Sequence, residues 1–279
     1  HGLVDMRKAI KESCDVYFYE VARKLGIDRL SKTAKAFGLG RSMVKGFLEE
    51  RIGVVPNTKW KRIKIGKPWY LGETLHSGIG QGYWQTNPLQ LCLMTAHIAN
   101  GGYEIKPRVI ITNEDEEDIA SLEQFVQEKK RFPDKDGVID DVFENFKYKT
   151  LFKNQENINF VKDAFFRATN EPGGTSYGSR LKEKQFMFAG KTGTSQIRKF
   201  TEKQRELEVK NEDLPYEQRD HALFIAFAPY YDPRYSISVV VEHGGSGSRT
   251  AAPIAKKVLK KLLERHSLRE SMHGEGKNI

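Results

Sequence analysis

Residues 187–197 read Met-Phe-Ala-Gly-Lys-Thr-Gly-Thr-Ser-Gln-Ile, an apolar strand-like run that opens directly on Lys191-Thr192-Gly193-Thr194. No other feature constrains the fold as strongly. A strand over residues 186–190 needs a sheet to join. The tetrad then sets an ammonium, two hydroxyls and a side-chain-free backbone along a strand edge, where a peptide carboxylate can be held beside an activated serine. The alternative is a basic β-turn, because Lys, Thr and Gly are common turn and loop residues.

Upstream, Leu3, Met6, Ala9 and Ile10 recur at a helical period, and Phe18, Val21, Ala22 and Leu25 resume it. Ser13-Cys14-Asp15 falls at the break between the two helices. Such a loop can aim a hydroxyl and a carboxylate at a cleft and pass a proton through the serine. Alternatively, Ser13 or Asp15 only caps the following helix.

Downstream of the tetrad, residues 221–228 form a second apolar strand. Residues 235–242 alternate Ile237, Val239 and Val241 with Ser236, Ser238 and Val240, the period of a third. Gly244-Gly245-Ser246-Gly247 turns the chain into a last helix over 251–265, with Ile254, Val258, Leu259, Leu262 and Leu263 on one face and Lys256, Lys257, Lys260 and Lys261 on the other. That helix packs on the sheet or lies on a membrane surface. Residues 3–100 and 143–168 read as mainly helical. Strands in succession beside packed helices predict an α+β fold with an antiparallel sheet. Two charged stretches interrupt the periodicity, at 113–137 and 198–220. The second separates two strands that a tight hairpin would normally join, so it is a long excursion beside the tetrad and a candidate lid.

The chain has 279 residues, 38% hydrophobic content and a net charge of +9. That suffices for a sizeable core in one domain with insertions, and no repeat suggests a solenoid. No apolar run approaches the roughly eighteen residues of a membrane span. The basic balance, with Lys59, Trp60, Lys61, Arg62, Lys64, Lys67 and Trp69 interleaving bases and aromatics, invites a nucleic-acid reading. No nucleic-acid module accompanies it, and the alternation of Trp60, Ile63 and Ile65 with bases suits a half-exposed strand or loop. The charge suits an anionic polymer or membrane headgroups instead. Cys14 and Cys92 are expected as free thiols. Among seven histidines there is no His-Glu-x-x-His pair, so no metal is expected, and no cofactor. Gly78-Ile79-Gly80-Gln81-Gly82 lacks the Lys-Ser/Thr of a phosphate loop and reads as a turn before a helix that Asn87-Pro88 starts.

Taken together, Ser13-Cys14-Asp15-Val16-Tyr17-Phe18-Tyr19, Lys67-Pro68-Trp69-Tyr70 through Gly78-Ile79-Gly80-Gln81-Gly82-Tyr83-Trp84, Asn87-Pro88-Leu89-Gln90, Asn170-Glu171-Pro172-Gly173-Gly174-Thr175, the tetrad, and residues 221–229 resemble the transpeptidase domain of the elongation-specific class B penicillin-binding proteins, the penicillin-binding protein 2 type. The landmarks keep the family's order from residue 3 to about 265. The resemblance implies a penicillin-binding transpeptidase fold, serine β-lactamase-like, and a D,D-transpeptidase that cross-links peptidoglycan stem peptides through a serine acyl-enzyme and is a target of β-lactams. A D,D-carboxypeptidase, a β-lactamase-like hydrolase or a catalytically silent interaction module are the alternatives.

The family's acylated serine sits in a Ser-x-x-Lys element ahead of the Ser-x-Asn/Asp loop. Ser42-Met43-Val44-Lys45 and Ser179-Arg180-Leu181-Lys182 both follow Ser13, so their order is wrong, and the nucleophile is expected upstream of residue 1. Residues 1–279 then read as the C-terminal portion of one domain. The resemblance also implies sheet strands from before the nucleophile, so without them the 235–242 strand is expected to keep an open edge unless another segment covers it. By the same resemblance, Ser13, Asp15 and Lys191 are catalytic, and Thr192, Gly193, Thr194 and Ser195 bind the substrate or β-lactam carboxylate, with the Thr194 N–H as an oxyanion donor. Gly80 and Gln81 line the cleft. Asp15 stands where Asn is more widespread; a carboxylate accepts without donating, so it is expected to pair with a lysine of the site. Ser13 Oγ is expected near hydrogen-bond reach of the Lys191 ammonium. Implied partners are stem peptides, β-lactams, a membrane glycosyltransferase of the RodA type and the scaffold MreC, at the periplasmic face of the inner membrane and with an anchoring N-terminal helix outside this chain.

Overall fold

The computed structural model describes residues 1–43, 50–109, 150–197 and 211–275. The chain opens with α1 (Met6–Glu12), whose first turn is capped by Asp5 Oδ1 accepting from the Lys8 N–H at 2.7 Å. It ends at Ser13, which takes the left-handed conformation at φ 56°, while the Cys14 N–H closes the last turn on Ala9 O at 2.9 Å. A serine there costs about 1 kcal/mol against a glycine. The compensation is geometric: Asp15 begins α2 (Asp15–Leu25) at once, so the Ser13 side chain sits in a rigid elbow.

After α3 (Ile27–Ala36) come two short helices, α4 (Thr58–Ile65) and α5 (Leu71–Gly78). Here the expectation of a half-exposed strand or loop at Trp60, Ile63 and Ile65 is corrected. Asn57 Oδ1 caps the Trp60 N–H at 2.7 Å and starts a helix, and Lys61 is buried in it against Glu73. The nonlocal pair with Glu73 outweighs the local alternation. α5 lies directly on α2; a Cβ on Gly78 would stand 2.5 Å from the Ala22 Cβ, so only glycine permits this approach. α6 (Pro88–Ala99) begins at an Asn87–Gln90 capping box with proline in its first turn. α7 (Gln155–Asn170) follows, capped by Asn154.

Three strands form one antiparallel sheet in the order β1-β2-β3: β1 (Ala189–Ser195), β2 (His221–Ala228) and β3 (Tyr235–Val241). Lys191 stands opposite Ile225, and Ile225 opposite Ser238. The last helix, α8 (Ala252–Glu275), is entered through a π-turn at Gly247–Ala251. β2 is covered on both sides. Ala222, Phe224, Ala226 and Ala228 meet Ala252, Ala255, Leu259 and Leu263 of α8, while Phe227 meets Ile98, Ala164 and Phe165 of α6 and α7. Tyr235, Ile237, Val239 and Val241 join the α8 side, as their alternation predicts.

Three boundaries differ from the sequence reading. Residues 184–186 form a 3₁₀ turn and the strand begins at Ala189, so the tetrad lies inside β1 rather than after it. The reason is pairing: residues 189–195 find partners along β2. In α8 the sheet-facing residues are Ala252, Ala255, Leu259 and Leu263, whereas Ile254 and Val258 are 42% and 41% exposed. Ala252 and Ala255 share the contact with Leu259 and Leu263, which the sequence placed on the apolar face. The 113–137 stretch and residues 198–210 of the second charged stretch lie outside the described residues; 211–220 form short 3₁₀ turns tied to Asp220 through Asn211. Among the described residues, β3 pairs only with β2, and no helix is long and apolar enough to cross a membrane.

Candidate active site

β1 carries the site from the core to the surface. Ala189 and Gly190 are buried, Lys191 to Gly193 half-buried, and Thr194 and Ser195 exposed. Its edge away from β2 is pinned at the buried end by the last residues of α7. Asn170 Nδ2 donates to Phe188 O at 2.9 Å, and the Gly190 N–H donates to Thr169 Oγ1 at 3.1 Å. By the two-residue period of a strand, the N–H and C=O of Thr192 and Thr194 fall on that same edge, past the pins. The clamp therefore fixes the buried end of that edge.

The two corners read from sequence meet. Lys191 Nζ donates to Ser13 Oγ at 3.0 Å across a separation of 178 residues, and also to Thr192 O at 3.1 Å. A capping serine and an isolated basic turn have no reason to meet; neither Ser13 nor Asp15 makes a side-chain cap bond to α2, whose N-cap is the buried Cys14. Burial pushes the Lys191 ammonium down to about 8, with the Asp15 carboxylate acting in the opposite direction. Near neutral pH such an amine stays mostly protonated yet releases a proton readily, as a proton relay requires.

Asp15 makes no ion pair with Lys191 among the described residues, and it is exposed at the start of α2. Its charge favours the protonated form of the ammonium. Thr192 Oγ1 donates to Thr175 Oγ1 at 3.1 Å, a contact the sequence reading did not anticipate. A Cβ on Gly193 would meet only the Leu223 Cβ at 3.5 Å, an ordinary contact, whereas one on Gly247 would stand 2.6 Å from Gly193 O. The steric demand for glycine behind the tetrad thus falls on Gly247, which had been read as part of a turn.

Gly80 and Gln81 sit in the turn after α5, with Gly80 at φ 76° and the Gln81 N–H bonded to His76 O at 3.0 Å. No described hydrogen bond carries them to Ser13, Asp15 or Lys191; their link to the site runs through the packing of α5 on α2. Ser42 Oγ is bonded to Glu50 at 2.8 Å, and its Lys45 lies outside the described residues. Ser179 is buried in a 3₁₀ turn, 5% exposed. Neither is hydrogen-bonded to Lys191 or Ser13.

The family model for the penicillin binding protein transpeptidase domain matches residues 1–260. Among curated proteins, the chain is 33% identical over 264 residues to the peptidoglycan D,D-transpeptidase MrdA of Salmonella typhimurium, covering 95% of this chain and 39% of that protein. It is 34% identical over 259 residues to MrdA of Haemophilus influenzae, covering 93% and 36%. Among solved structures, penicillin-binding protein 2 in its complex with MreC from Helicobacter pylori superposes with a TM-score of 0.73 at 29% identity, covering 95% of this chain and 41% of that one. The chain thus spans well under half the length of these relatives, and within that span it belongs to the penicillin-binding protein transpeptidase family.

Proposed function

We propose that these residues form the Lys-Thr-Gly and Ser-x-Asp portion of a serine D,D-transpeptidase that cross-links peptidoglycan stem peptides during cell elongation. The observation that carries this reading is the 3.0 Å bond between Lys191 Nζ and Ser13 Oγ, which joins the two motifs across 178 residues. By the family resemblance the acylated serine belongs to a Ser-x-x-Lys element outside these residues, and the bonding of Ser42 to Glu50 and the burial of Ser179 are in keeping with that.

In the reaction, a serine hydroxyl attacks the carbonyl of a D-Ala-D-Ala peptide bond, its proton passes to a base of the site, and D-alanine leaves with a proton added to its amine. An amine of a neighbouring stem peptide then attacks the ester, frees the serine and forms the cross-link. Ser13 and Lys191 supply a hydroxyl–amine pair for those proton transfers. Lys191 also provides positive potential, and the hydroxyls of Thr192 and Thr194 receive the substrate carboxylate. Ser195 extends that edge, and the Thr194 N–H, on the outer edge of β1, polarises the carbonyl. Loss of one such donor typically costs about 3 to 4 kcal/mol of transition-state stabilisation. β-Lactams follow the same path as far as the acyl-enzyme. Gly80 and Gln81 shape the far wall of the cleft. The basic surface, the resemblance and the MreC complex of the H. pylori relative support a place at the periplasmic face of the inner membrane, beside an MreC scaffold and a RodA-type glycosyltransferase.

The test is intact-mass spectrometry after incubation with a reporter penicillin. The 279-residue chain stays unmodified, and a longer polypeptide that supplies the Ser-x-x-Lys element gains one adduct on that serine. Labelling of Ser42 or Ser179 contradicts the assignment.

A further inference from the structure

A carboxylate accepts hydrogen bonds and donates none, and a threonine hydroxyl has a single proton to give. In this structure Thr192 gives that proton to Thr175 Oγ1, at 3.1 Å. While that bond is made, the Thr192 proton is not free for an anionic substrate. For Thr192 to donate to a carboxylate, the pair must reverse, with Thr175 changing from acceptor to donor.

Thr175 is anchored beside both corners of the site. Its N–H is bonded to Lys11 O at 3.3 Å, in the last turn before the Ser13 elbow. The next residue, Ser176, is buried, with its N–H on Ala168 O at 3.0 Å and its Oγ on Thr169 Oγ1 at 3.2 Å. Thr169 in turn holds the Gly190 N–H of β1. A Cβ on Gly174 would fall 2.3 Å from Ala168 O, so the segment is pressed flat onto the end of α7. Thr175 is therefore tied to the serine corner on one side and to the lysine strand on the other.

We infer that Thr175 is a positioning residue for carboxylate recognition. Its hydroxyl accepts from Thr192 in this structure. On binding of a carboxylate it donates to Thr192, which delivers its own proton to the ligand. The exchange is a rotation of two hydroxyls, with no covalent step and no net charge change. It rests on Thr192 being a carboxylate ligand, and the test separates the two claims.

In a polypeptide that carries the acylated serine, Thr175→Val, Thr175→Ser, Thr192→Val and the double valine variant are compared in acylation by a penicillin, resolving the pre-acylation dissociation constant from the acylation rate. Loss of a hydrogen bond that supports a charged contact predicts a dissociation constant raised about fivefold to tenfold in Thr175→Val, with the rate changed less than twofold. Thr175→Ser should restore it, and in the Thr192→Val background the Thr175→Val change should add nothing further. A Thr175→Val protein that binds penicillin normally, a Thr175→Ser protein as impaired as the valine variant, or effects that add independently in the double variant would each overturn the inference. If Thr192→Val alone leaves binding unchanged, the assignment of Thr192 as carboxylate ligand fails instead.

Discussion

Lys61 in the α4–α5 corner and Lys191 on β1 are both shielded from water, Lys61 fully and Lys191 in part, and different groups face their ammonium ends. Lys61 is 2% exposed, but its ammonium meets the Glu73 carboxylate and lies over the rings of Tyr70, Trp69 and Tyr83 at 4.6, 5.8 and 5.9 Å. Burial alone would raise the Glu73 carboxyl, yet hydrogen bonds from Lys61 and the Tyr70 N–H, with Lys61's charge, hold it below the usual range. Lys191 is offered a hydroxyl and a carbonyl in place of a carboxylate, and burial pulls it down to about 8. A charge that is buried and paired stabilises an architecture; one that is buried and only hydrogen-bonded remains available for proton transfer.

The comparison breaks most visibly if the two lysines are exchanged for methionine. Lys191→Met should slow acylation of the serine-bearing polypeptide by about a thousandfold, in the range expected for loss of a proton-transfer group, while leaving thermal stability unchanged or raised. A loss below tenfold would place Lys191 outside the chemistry. Lys61→Met should do the reverse. Removing Lys61 leaves the partly exposed Glu73 with only the Tyr70 N–H and the Tyr83 hydroxyl, at a cost of about 1 to 3 kcal/mol, a fall in Tm of roughly 5 °C for a domain of this size. A shift under about 3 °C would show that the pair is only a surface contact.

A smaller effect sharpens the electrostatics. The Lys191 amine, followed by the ¹³C shift of its ε-methylene, should titrate near pH 8, and Asp15→Asn should lower the midpoint further, because the carboxylate favours the charged ammonium. Since its folded pKa lies below that of an unfolded lysine, the desolvation penalty is present in full below about pH 8 and fades as pH rises towards about 10.4, where an unfolded lysine also loses its proton. A midpoint unmoved or raised in Asp15→Asn would exclude the carboxylate's field as a cause.

Much of this was legible in the sequence, for local reasons. The break in helical period marked the Ser13 elbow, and alternation over Ile237, Val239 and Val241 marked β3, because each pattern reports a face. What escaped was nonlocal. Trp60 to Ile65 alternates like a strand, and only the Asn57 cap and the distant Glu73 make it a helix. The tetrad's membership of β1 is set by pairing with β2 rather than by propensity. Alanines 252 and 255, weak signals in any hydrophobic pattern, take the sheet contact that Ile254 and Val258 were expected to make. At the site, the residue types of Ser13 and Lys191 were readable, while the hydroxyl contact between Thr192 and Thr175 depends on how α7 ends against β1.

The Ser13–Lys191 bond is tested most directly by a double-mutant cycle on acylation, with Ser13→Ala, Lys191→Met and their combination in the serine-bearing polypeptide. If the two groups act as one proton-transferring unit, the combined variant acylates about as fast as the slower single variant. Two losses that multiply as independent factors would show that Ser13 and Lys191 are neighbours without a shared role.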